Sequence, residues 1–326
     1  MRSILKTFLH FGWLLAAGSS GVWAAESADI SKEKLVKLEY MREVSPGVHV
    51  LEDRDHILLV PNVTIIVGND AALVVDTGIG PDNARRVLQA ARSLAPGRPL
   101  FLTITHFHPE HGFGAQVFKG HATIIYPRAQ RDELMKKGPA YLKLFSERLG
   151  VAEALRDVRF VTPDIVYDRQ AELDLGGRVV KLSYHQPAHT LGDQVVSLPA
   201  QGVVILGDLL ETKSFPIFPW FPEIQDVDVD PTNWREIFRE VAASKPTVVI
   251  PGHGHVGNAA DLDEAARHLD TARAEVAKRC SAGQGIDSIL KEVEPLLLAQ
   301  HPDWDLKDWV PNEIRVYYTR LCSAKE

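Results

Sequence analysis

The feature of this chain that most constrains its fold is a histidine cluster that directly follows an apolar strand segment. Residues 105–111 read Thr-His-Phe-His-Pro-Glu-His. His106 and His108 alternate along an extended end and can point the same way, whereas Glu110 and His111 project from the turn beyond. Imidazole nitrogens and carboxylate oxygens are the ligands that zinc uses in hydrolytic sites. One histidine alone would favour a structural role, but three at this spacing predict a loop that serves two neighbouring metal ions.

Three further segments supply candidate ligands. His189, Asp208 and His253 each follow an apolar strand segment and lie close to a Gly or Pro residue. Loops at strand ends are where a rigid sheet positions functional groups. Each residue taken alone could belong to a simple turn. Their joint order after the histidine cluster favours one shared metal site.

The remaining pattern predicts a strand-rich chain with helices between its strands. Short apolar runs bounded by Gly, Pro, Asn or Asp predict strands at residues 48–51, 63–67, 72–75, 100–105, 123–126, 165–167, 178–184, 194–198, 203–206 and 247–250. Helical spacing of apolar residues predicts helices at residues 81–95, 128–149 and 232–243. Hairpins in both halves argue against a purely parallel, doubly wound sheet. Beyond residue 258 the pattern is almost wholly helical.

The first 24 residues have the pattern of a secretory signal peptide. Arg2 and Lys6 form a basic start, an apolar stretch follows, and Val22-Trp23-Ala24 resembles a cleavage site. The apolar stretch is short for an uncleaved membrane span. We therefore expect a periplasmic or secreted protein that is not attached to a membrane after cleavage. Residues 25–45 then form an N-terminal segment before the folded domain.

Composition narrows the choice of partners. The chain has 326 residues and a formal net charge of −7. Phosphate contacts require clustered Lys and Arg, so the charge argues against nucleic acid as a partner and leaves a small-molecule substrate.

Two other features leave alternatives open. An exported chain reaches an oxidising compartment, where Cys280 and Cys322 can form a disulfide, but buried or free thiols fit the sequence as well.

The segment 215–222 reads Phe-Pro-Ile-Phe-Pro-Trp-Phe-Pro and is too rich in proline for a central strand. It fits an apolar wall over the metal site and a surface loop packed on the core equally well.

The order of these motifs resembles the metallo-β-lactamase superfamily. The resemblance covers residues 46–256 and includes Asp76, the histidine cluster and the three later ligands. It implies an α/β (α+β) fold, an αββα sandwich of two mixed sheets flanked by helices, with two metal ions at one edge. The predicted domain then spans residues 46–257, and residues 258–326 form a helical C-terminal extension.

The resemblance also assigns the ligands. The first ion is implied to be held by His106, His108 and His189, and the second by Glu110, His111 and His253. Asp208 bridges both ions, and Asp76 is a carboxylate that fixes the site from behind. The family usually has Asp at the position of Glu110 and often Gly at the position of Ala188.

The chemistry implied is zinc-dependent hydrolysis, with two zinc ions per chain. Two bridged ions lower the pKa of a bound water and supply hydroxide near neutral pH, and Glu110 and Asp208 are the predicted catalytic carboxylates. The bond attacked is an ester, thioester or amide, and a β-lactam ring belongs to this class. The alternatives are a persulfide dioxygenase with a single iron, and a non-catalytic metal-binding or sensing protein.

Overall fold

The computed structural model describes residues 36–57 and 59–322. The predicted signal peptide, residues 1–24, lies outside the described residues. Among the helices that are described, none has both the length and the apolar character needed to cross a membrane.

The described residues form twelve strands and eight α-helices. The strands are β1 Met41–Ser45, β2 Val48–Leu51, β3 Val63–Val67, β4 Ala72–Val75, β5 Leu100–Thr103, β6 Thr123–Pro127, β7 Ile165–Tyr167, β8 Gln170–Asp174, β9 Val179–Tyr184, β10 Gln194–Leu198, β11 Val203–Glu211 and β12 Val248–His253. The helices are α1 Gly80–Leu94, α2 Pro109–Gly112, α3 Arg128–Arg148, α4 Ala152–Leu155, α5 Pro231–Ala243, α6 Ala259–Ser281, α7 Ile286–Gln300 and α8 Val310–Leu321.

The strands form two mixed sheets. The first has the order β1-β2-β3-β4-β5-β6-β7, antiparallel up to β4 and parallel from β4 onwards. The second has the order β12-β11-β10-β9-β8, in which the pair β11–β12 is parallel and the others are antiparallel. The hairpins expected in both halves are therefore present, and the sheets are not doubly wound.

Three apolar layers show how the sheets stack. In β4, Leu73 and Val75 belong to the layer between the two sheets, whereas Ala72 and Val74 face the layer that contains α1 and α3. Strand β11 sends alternate residues in the same way to the inter-sheet layer and to the layer of α5–α8. Alternate side chains of a strand point to opposite faces, so helices cover both outer faces. The predicted αββα sandwich is confirmed.

The C-terminal extension begins at a well-defined helix cap. The Asn258 side chain accepts from the backbone N–H of Ala260, and Asp261 accepts from the backbone N–H of Asn258. This capping box satisfies donors that have no partner within the helix, so α6 begins where the sequence turns helical. A disulfide joins Cys280 at the end of α6 to Cys322 at the end of α8, which resolves the choice that the sequence left open.

The sequence pattern does not predict two edge strands. β1 and β8 each lie at one edge of a sheet, and their residues are mostly half-buried or exposed. An edge strand with few buried residues lacks the apolar run by which strands are recognised. The first sheet thus begins at Met41, ahead of residue 46.

Candidate metal centre

The predicted ligands converge at one edge of the sandwich. The histidine cluster follows β5 and enters α2, His189 lies in the connection between β9 and β10, and Asp208 and His253 lie in β11 and β12. All seven predicted ligands are at most 4% exposed. Ligands from both sheets therefore meet in one buried cluster, which we call the ligand cluster: His106, His108, Glu110, His111, His189, Asp208 and His253.

Two glycines allow the strands that carry Asp208 and His253 to approach so closely. Gly207 has a φ of +55°, and a Cβ built on it would lie 2.5 Å from Thr105. A Cβ on Gly252 would lie 1.9 Å from Oδ1 of Asp208. Any side chain at either position would displace the strands or the ligand.

The first group of ligands consists of His106, His108, His189 and Asp208. One ligand atom from each lies within 4.8 Å of all the others. Nδ1 of His108 is 3.2 Å from Nε2 of His189. Oδ2 of Asp208 is 3.8 Å from Nε2 of both His106 and His189. Three imidazoles and a carboxylate gathered around one point suit a divalent metal ion.

The second group consists of Glu110, His111, Asp208 and His253, again with one ligand atom from each within 4.8 Å of the others. Oδ1 of Asp208 is 3.1 Å from Nε2 of His111 and 3.5 Å from Nε2 of His253. The two oxygens of Asp208 thus face different groups, which is the geometry expected of a bridging carboxylate. Glu110 reaches this group although the family usually has the shorter Asp.

Unpaired buried atoms provide a test of whether the residues fit a metal. Nε2 of His106, His111 and His253, Oε2 of Glu110 and both carboxylate oxygens of Asp208 are buried without a hydrogen-bond partner among the described residues. Buried polar groups are almost always paired, because an unpaired one costs about 1–3 kcal/mol. Cations bound by both groups would satisfy these atoms, so the ligand cluster fits two metal ions.

Asp76 orients the ligand cluster from behind. Its carboxylate lies 2.9 Å from Nδ1 of His111 and accepts hydrogen bonds from the backbone N–H and the hydroxyl of Thr105. The φ of Asp76 is +70°, a left-handed conformation that Asp tolerates better than most residues. The contact to Nδ1 leaves Nε2 of His111 free to face the metal position, as the resemblance implies for this residue.

Backbone carbonyls orient two further ligands. Nδ1 of His189 lies 3.0 Å from the carbonyl of Ile217, and Nδ1 of His253 lies 3.0 Å from the carbonyl of Val60. Each imidazole therefore donates from Nδ1 and presents the lone pair of Nε2 to the ligand cluster.

Burial sets the protonation of the first group. It lowers the pKa of His106 and His108 well below the ordinary value and that of His189 to about 4. Although burial alone would raise the pKa of Asp208, His111 and His253 hold it well below its ordinary range. Neutral imidazoles and an ionised carboxylate are the forms that bind metal.

In the second group, the pKa values of His111 and Glu110 are raised instead of lowered. Burial alone would lower the pKa of His111, but Asp208 and Asp76 hold it well above the ordinary value. Burial raises the pKa of Glu110. A metal ion that binds here displaces protons from these groups, so we expect its affinity to rise with pH.

A buried ionic network next to the ligand cluster was not predicted. The ammonium of Lys137 lies 2.6 Å from Glu133, 2.9 Å from Asp226 and 2.5 Å from Asp228. Asp226 also accepts a hydrogen bond from the hydroxyl of Tyr141, whose ring stacks on the imidazole of His108 at 4.9 Å. About ninety positions separate the two halves of this network, and no spacing in the sequence connects them.

Different residues of the proline-rich segment serve the two roles that the sequence left open. Phe215 and Phe218 pack into the apolar layer of the C-terminal helices. Ile217, Pro219 and Phe221 line a cleft that also contains three residues of the ligand cluster. Residues 215–222 thus form both a packed loop and one wall beside the metal positions.

A two-sheet sandwich with two groups of candidate metal ligands at one edge is the architecture of a metal-binding protein. Comparison with known proteins identifies the family. The metallo-beta-lactamase superfamily model matches residues 56–253. The chain belongs to this superfamily, and the resemblance noted in its sequence is confirmed.

The individual relatives are distant. The chain is 22% identical over 218 residues to a linear primary-alkylsulfatase from Pseudomonas sp. (strain ATCC 19151), covering 58% of this chain and 40% of that protein. The chain therefore spans well under half the length of this curated relative. Among solved structures, a metallo-beta-lactamase from Pontibacter korlensis has a TM-score of 0.55 and 18% identity, covering 71% of this chain and 98% of its own. A stereoselective inverting sec-alkylsulfatase from Pseudomonas sp. has a TM-score of 0.64 and 15% identity, covering 86% and 50%. These structural similarities establish the fold.

Proposed function

We propose that this protein is an exported, zinc-dependent hydrolase that cleaves an ester, thioester or amide bond. The observation that carries the proposal is the position of Asp208, whose two oxygens each face a separate group of buried ligands. Relatives that are named as a metallo-beta-lactamase and as alkylsulfatases support hydrolysis as the reaction class.

The residues of the chain prepare the site in two ways. His106, His108 and His189 are held neutral by burial, so their lone pairs are ready for a metal ion. Glu110 and Asp208 supply two negative charges, which offset part of the charge of two divalent cations. When bound, zinc ions act as Lewis acids and lower the pKa of a coordinated water, so that no serine or cysteine nucleophile is required.

The donor set favours zinc over harder cations. Five imidazoles and two carboxylates match the nitrogen and oxygen ligands of catalytic zinc, whereas magnesium and calcium prefer oxygen alone. The completeness of both groups supports the two-ion hydrolase over a persulfide dioxygenase with a single iron, and over a degraded sensing site.

Export is part of the proposal, and the disulfide supports it. The bond between Cys280 and Cys322 suits an oxidising compartment such as the periplasm or the extracellular space. We expect N-terminal sequencing of the exported protein to begin near Ala25. Soluble cytoplasmic protein that retains Met1 would contradict this part of the proposal.

The central experiment combines metal analysis with a substrate panel. We expect about two zinc ions per chain, and turnover of at least one member of a panel of esters, thioesters, amides, a β-lactam and an alkyl sulfate. His108→Ala should lose the first ion and reduce turnover to background, because three histidines leave no redundancy. His255→Ala is the matched control, since this imidazole is near the site but is half-exposed and outside both ligand groups. Unchanged metal content and turnover in His108→Ala would refute the proposal.

A further inference from the structure

The five imidazoles of the ligand cluster differ in what holds their rings in place. Four of them make a hydrogen bond through the ring nitrogen that faces away from the metal positions. The partners are the Thr105 hydroxyl for His106, Asp76 for His111, and the carbonyls of Ile217 and Val60 for His189 and His253. Outer partners of this kind usually orient the ligands of a metal site. His108 has no such partner among the described residues.

The ring of His108 is free to turn unless another contact restrains it. Its Nδ1 faces the first group of ligands, since it lies 3.2 Å from Nε2 of His189. Its Nε2 is buried, and nothing in the part of the chain that the structure describes forms a hydrogen bond with it. The last side-chain torsion of histidine has broad energy minima. Without a further contact, the direction of the Nδ1 lone pair would therefore not be fixed.

Tyr141 of α3 supplies the missing restraint. Its ring stacks on that of His108, with 4.9 Å between the centroids and 25° between the planes. Phe107 contacts both rings edge-on, and its centroid lies 5.0 Å from each of theirs. Close-packed rings leave no space for the imidazole to rotate towards them. Tyr141 is completely buried, so its ring cannot swing into solvent and release His108.

A hydrogen bond and an ion pair hold Tyr141 in turn. Its hydroxyl donates to Asp226, and Asp226 lies 2.9 Å from the ammonium of Lys137. Lys137 precedes Tyr141 by one turn of α3, and its ammonium also lies 5.6 Å from the centre of the Phe107 ring. Helix α3 and the loop that carries Asp226 thus hold both aromatic rings against the histidine cluster.

We infer that Tyr141 is a positioning residue, which holds the imidazole of His108 in the plane needed to bind the first metal ion, and that Asp226 anchors it. The stacked ring takes the place of the hydrogen bond that each of the other four imidazoles makes. The inference rests on the proposed function for the presence of a metal ion in the first group. It does not depend on the identity of the substrate, because none of these contacts involves one.

Metal binding by variants of Tyr141 tests the inference without turnover. Competition with a chromophoric chelator measures zinc affinity, and the visible spectrum of the cobalt-loaded protein reports the geometry of the ligands. We expect Tyr141→Leu to lower zinc affinity about 10- to 100-fold and to change the cobalt spectrum. Tyr141→Phe keeps the stacked ring and loses only the hydroxyl, so its loss should be about threefold.

Phe118→Leu is the matched control for Tyr141→Leu. It removes a buried ring from the same apolar layer, and that ring stacks on none of the seven ligands. We expect its zinc affinity and cobalt spectrum to match those of the unmodified protein. Equal affinities and equal spectra in Tyr141→Leu and Phe118→Leu would overturn the inference.

A second pair of variants tests the anchor. Asp226→Ala and Asp228→Ala each remove one carboxylate from Lys137, but only Asp226 also holds the Tyr141 hydroxyl. We expect Asp226→Ala to lose about threefold in zinc affinity, as Tyr141→Phe does, and Asp228→Ala to retain the unmodified value. Equal affinities in the two aspartate variants would contradict the role of Asp226. If Tyr141→Leu does not fold, unaltered affinity in both Tyr141→Phe and Asp226→Ala would overturn the inference.

The outcomes separate this inference from the proposed function. Zinc binding by the unmodified protein that does not depend on Tyr141 would support the metal centre and overturn the inference. A raised KM of Tyr141→Phe with unchanged zinc affinity would assign Tyr141 to substrate binding and would also overturn it. Weaker zinc binding by Tyr141→Leu, in a protein that hydrolyses no member of the substrate panel, would support the inference and contradict the proposed hydrolase.

Discussion

The ligand cluster and the C-terminal helices differ in how their unpaired buried polar atoms are arranged. In the ligand cluster, seven buried nitrogen and oxygen atoms have no hydrogen-bond partner among the described residues, and they gather in two groups of metal ligands. They belong to His106, His108, Glu110, His111, Asp208 and His253. In the helices, Nδ1 of His268 and Oε1 of Glu313 are also unpaired, but these two side chains pair with each other through Nε2 and Oε2 at 3.0 Å. Asn258 and Asp261 cap α6.

The difference shows which region is built for function and which for stability. Unpaired buried groups cost free energy unless a ligand satisfies them, so the scaffold must supply the stability that the site lacks. Substitutions in the helices should therefore change the free energy of unfolding and leave metal binding and turnover intact. Substitutions in the ligand cluster should change metal binding and turnover and leave the free energy of unfolding nearly the same. Four predictions test this contrast.

Removal of the disulfide should have the largest effect on stability. The 42 positions between Cys280 and Cys322 correspond to a chain-entropy contribution of about 4 kcal/mol. We expect Cys280→Ser/Cys322→Ser to lower the free energy of unfolding by up to that amount in urea titrations, while zinc content at 25 °C stays the same. A loss of zinc in the folded variant would break the contrast between the two regions.

Glu110→Asp should affect chemistry and leave stability nearly unchanged. Glu110 reaches the second ligand group with the backbone as it stands, so the shorter Asp should misplace the ligand. A displacement of about 1 Å at a reacting centre can cost on the order of a hundredfold in rate. Metal stoichiometry and turnover are measured beside Glu110→Ala. Equal metal binding and equal rates in both variants would show that position 110 is not a ligand.

Asp76→Asn should weaken the second ion. Asn tolerates the left-handed backbone at this position, so the variant removes mainly the charge that faces His111. Loss of such an outer partner typically costs about 10- to 100-fold in metal affinity or activity. Competition with a zinc chelator measures the change, and Asp82→Asn on the exposed surface of α1 is the control. An affinity equal to that of the control would exclude a role for Asp76.

The prediction with the smallest expected effect concerns Glu52, a buried carboxylate that already has its hydrogen-bond partners. Burial alone would raise its pKa, but Arg42 and the backbone N–H of Val256 lower it from the ordinary 4.5 to about 2. The folded-state pKa is depressed, so the stabilisation is complete above pH 4.5 and is lost as the pH falls towards 2.

We expect Glu52→Gln to lower the free energy of unfolding by about 1–2 kcal/mol at pH 7. The difference from the unmodified protein should shrink between pH 5 and pH 2. Urea titrations at several pH values measure it, and a difference that stays constant over this range would contradict the role assigned to Arg42.

The sequence by itself determined the candidate metal ligands and the class of fold. His106, His108 and His111 are close in the chain, so a short motif reveals them. The strands that carry Asp208 and His253 are apolar on both faces, and their local composition is sufficient to recognise them. The helical C-terminal extension follows from the helical pattern beyond residue 258, which is also local.

Only the tertiary structure decided the surroundings of the ligands. Sheet pairing and helix packing bring together side chains that lie far apart in the chain, such as Lys137 with Asp226, and His108 with Trp309 across the cleft. The pairing of Cys280 with Cys322 depends on α6 and α8 ending side by side. The edge strands β1 and β8 gain their structure from backbone pairing with neighbours rather than from burial of their own side chains. Local sequence encodes which residues can bind a metal, whereas the walls of the cleft arise from contacts between distant segments, which leave no periodic pattern in the chain.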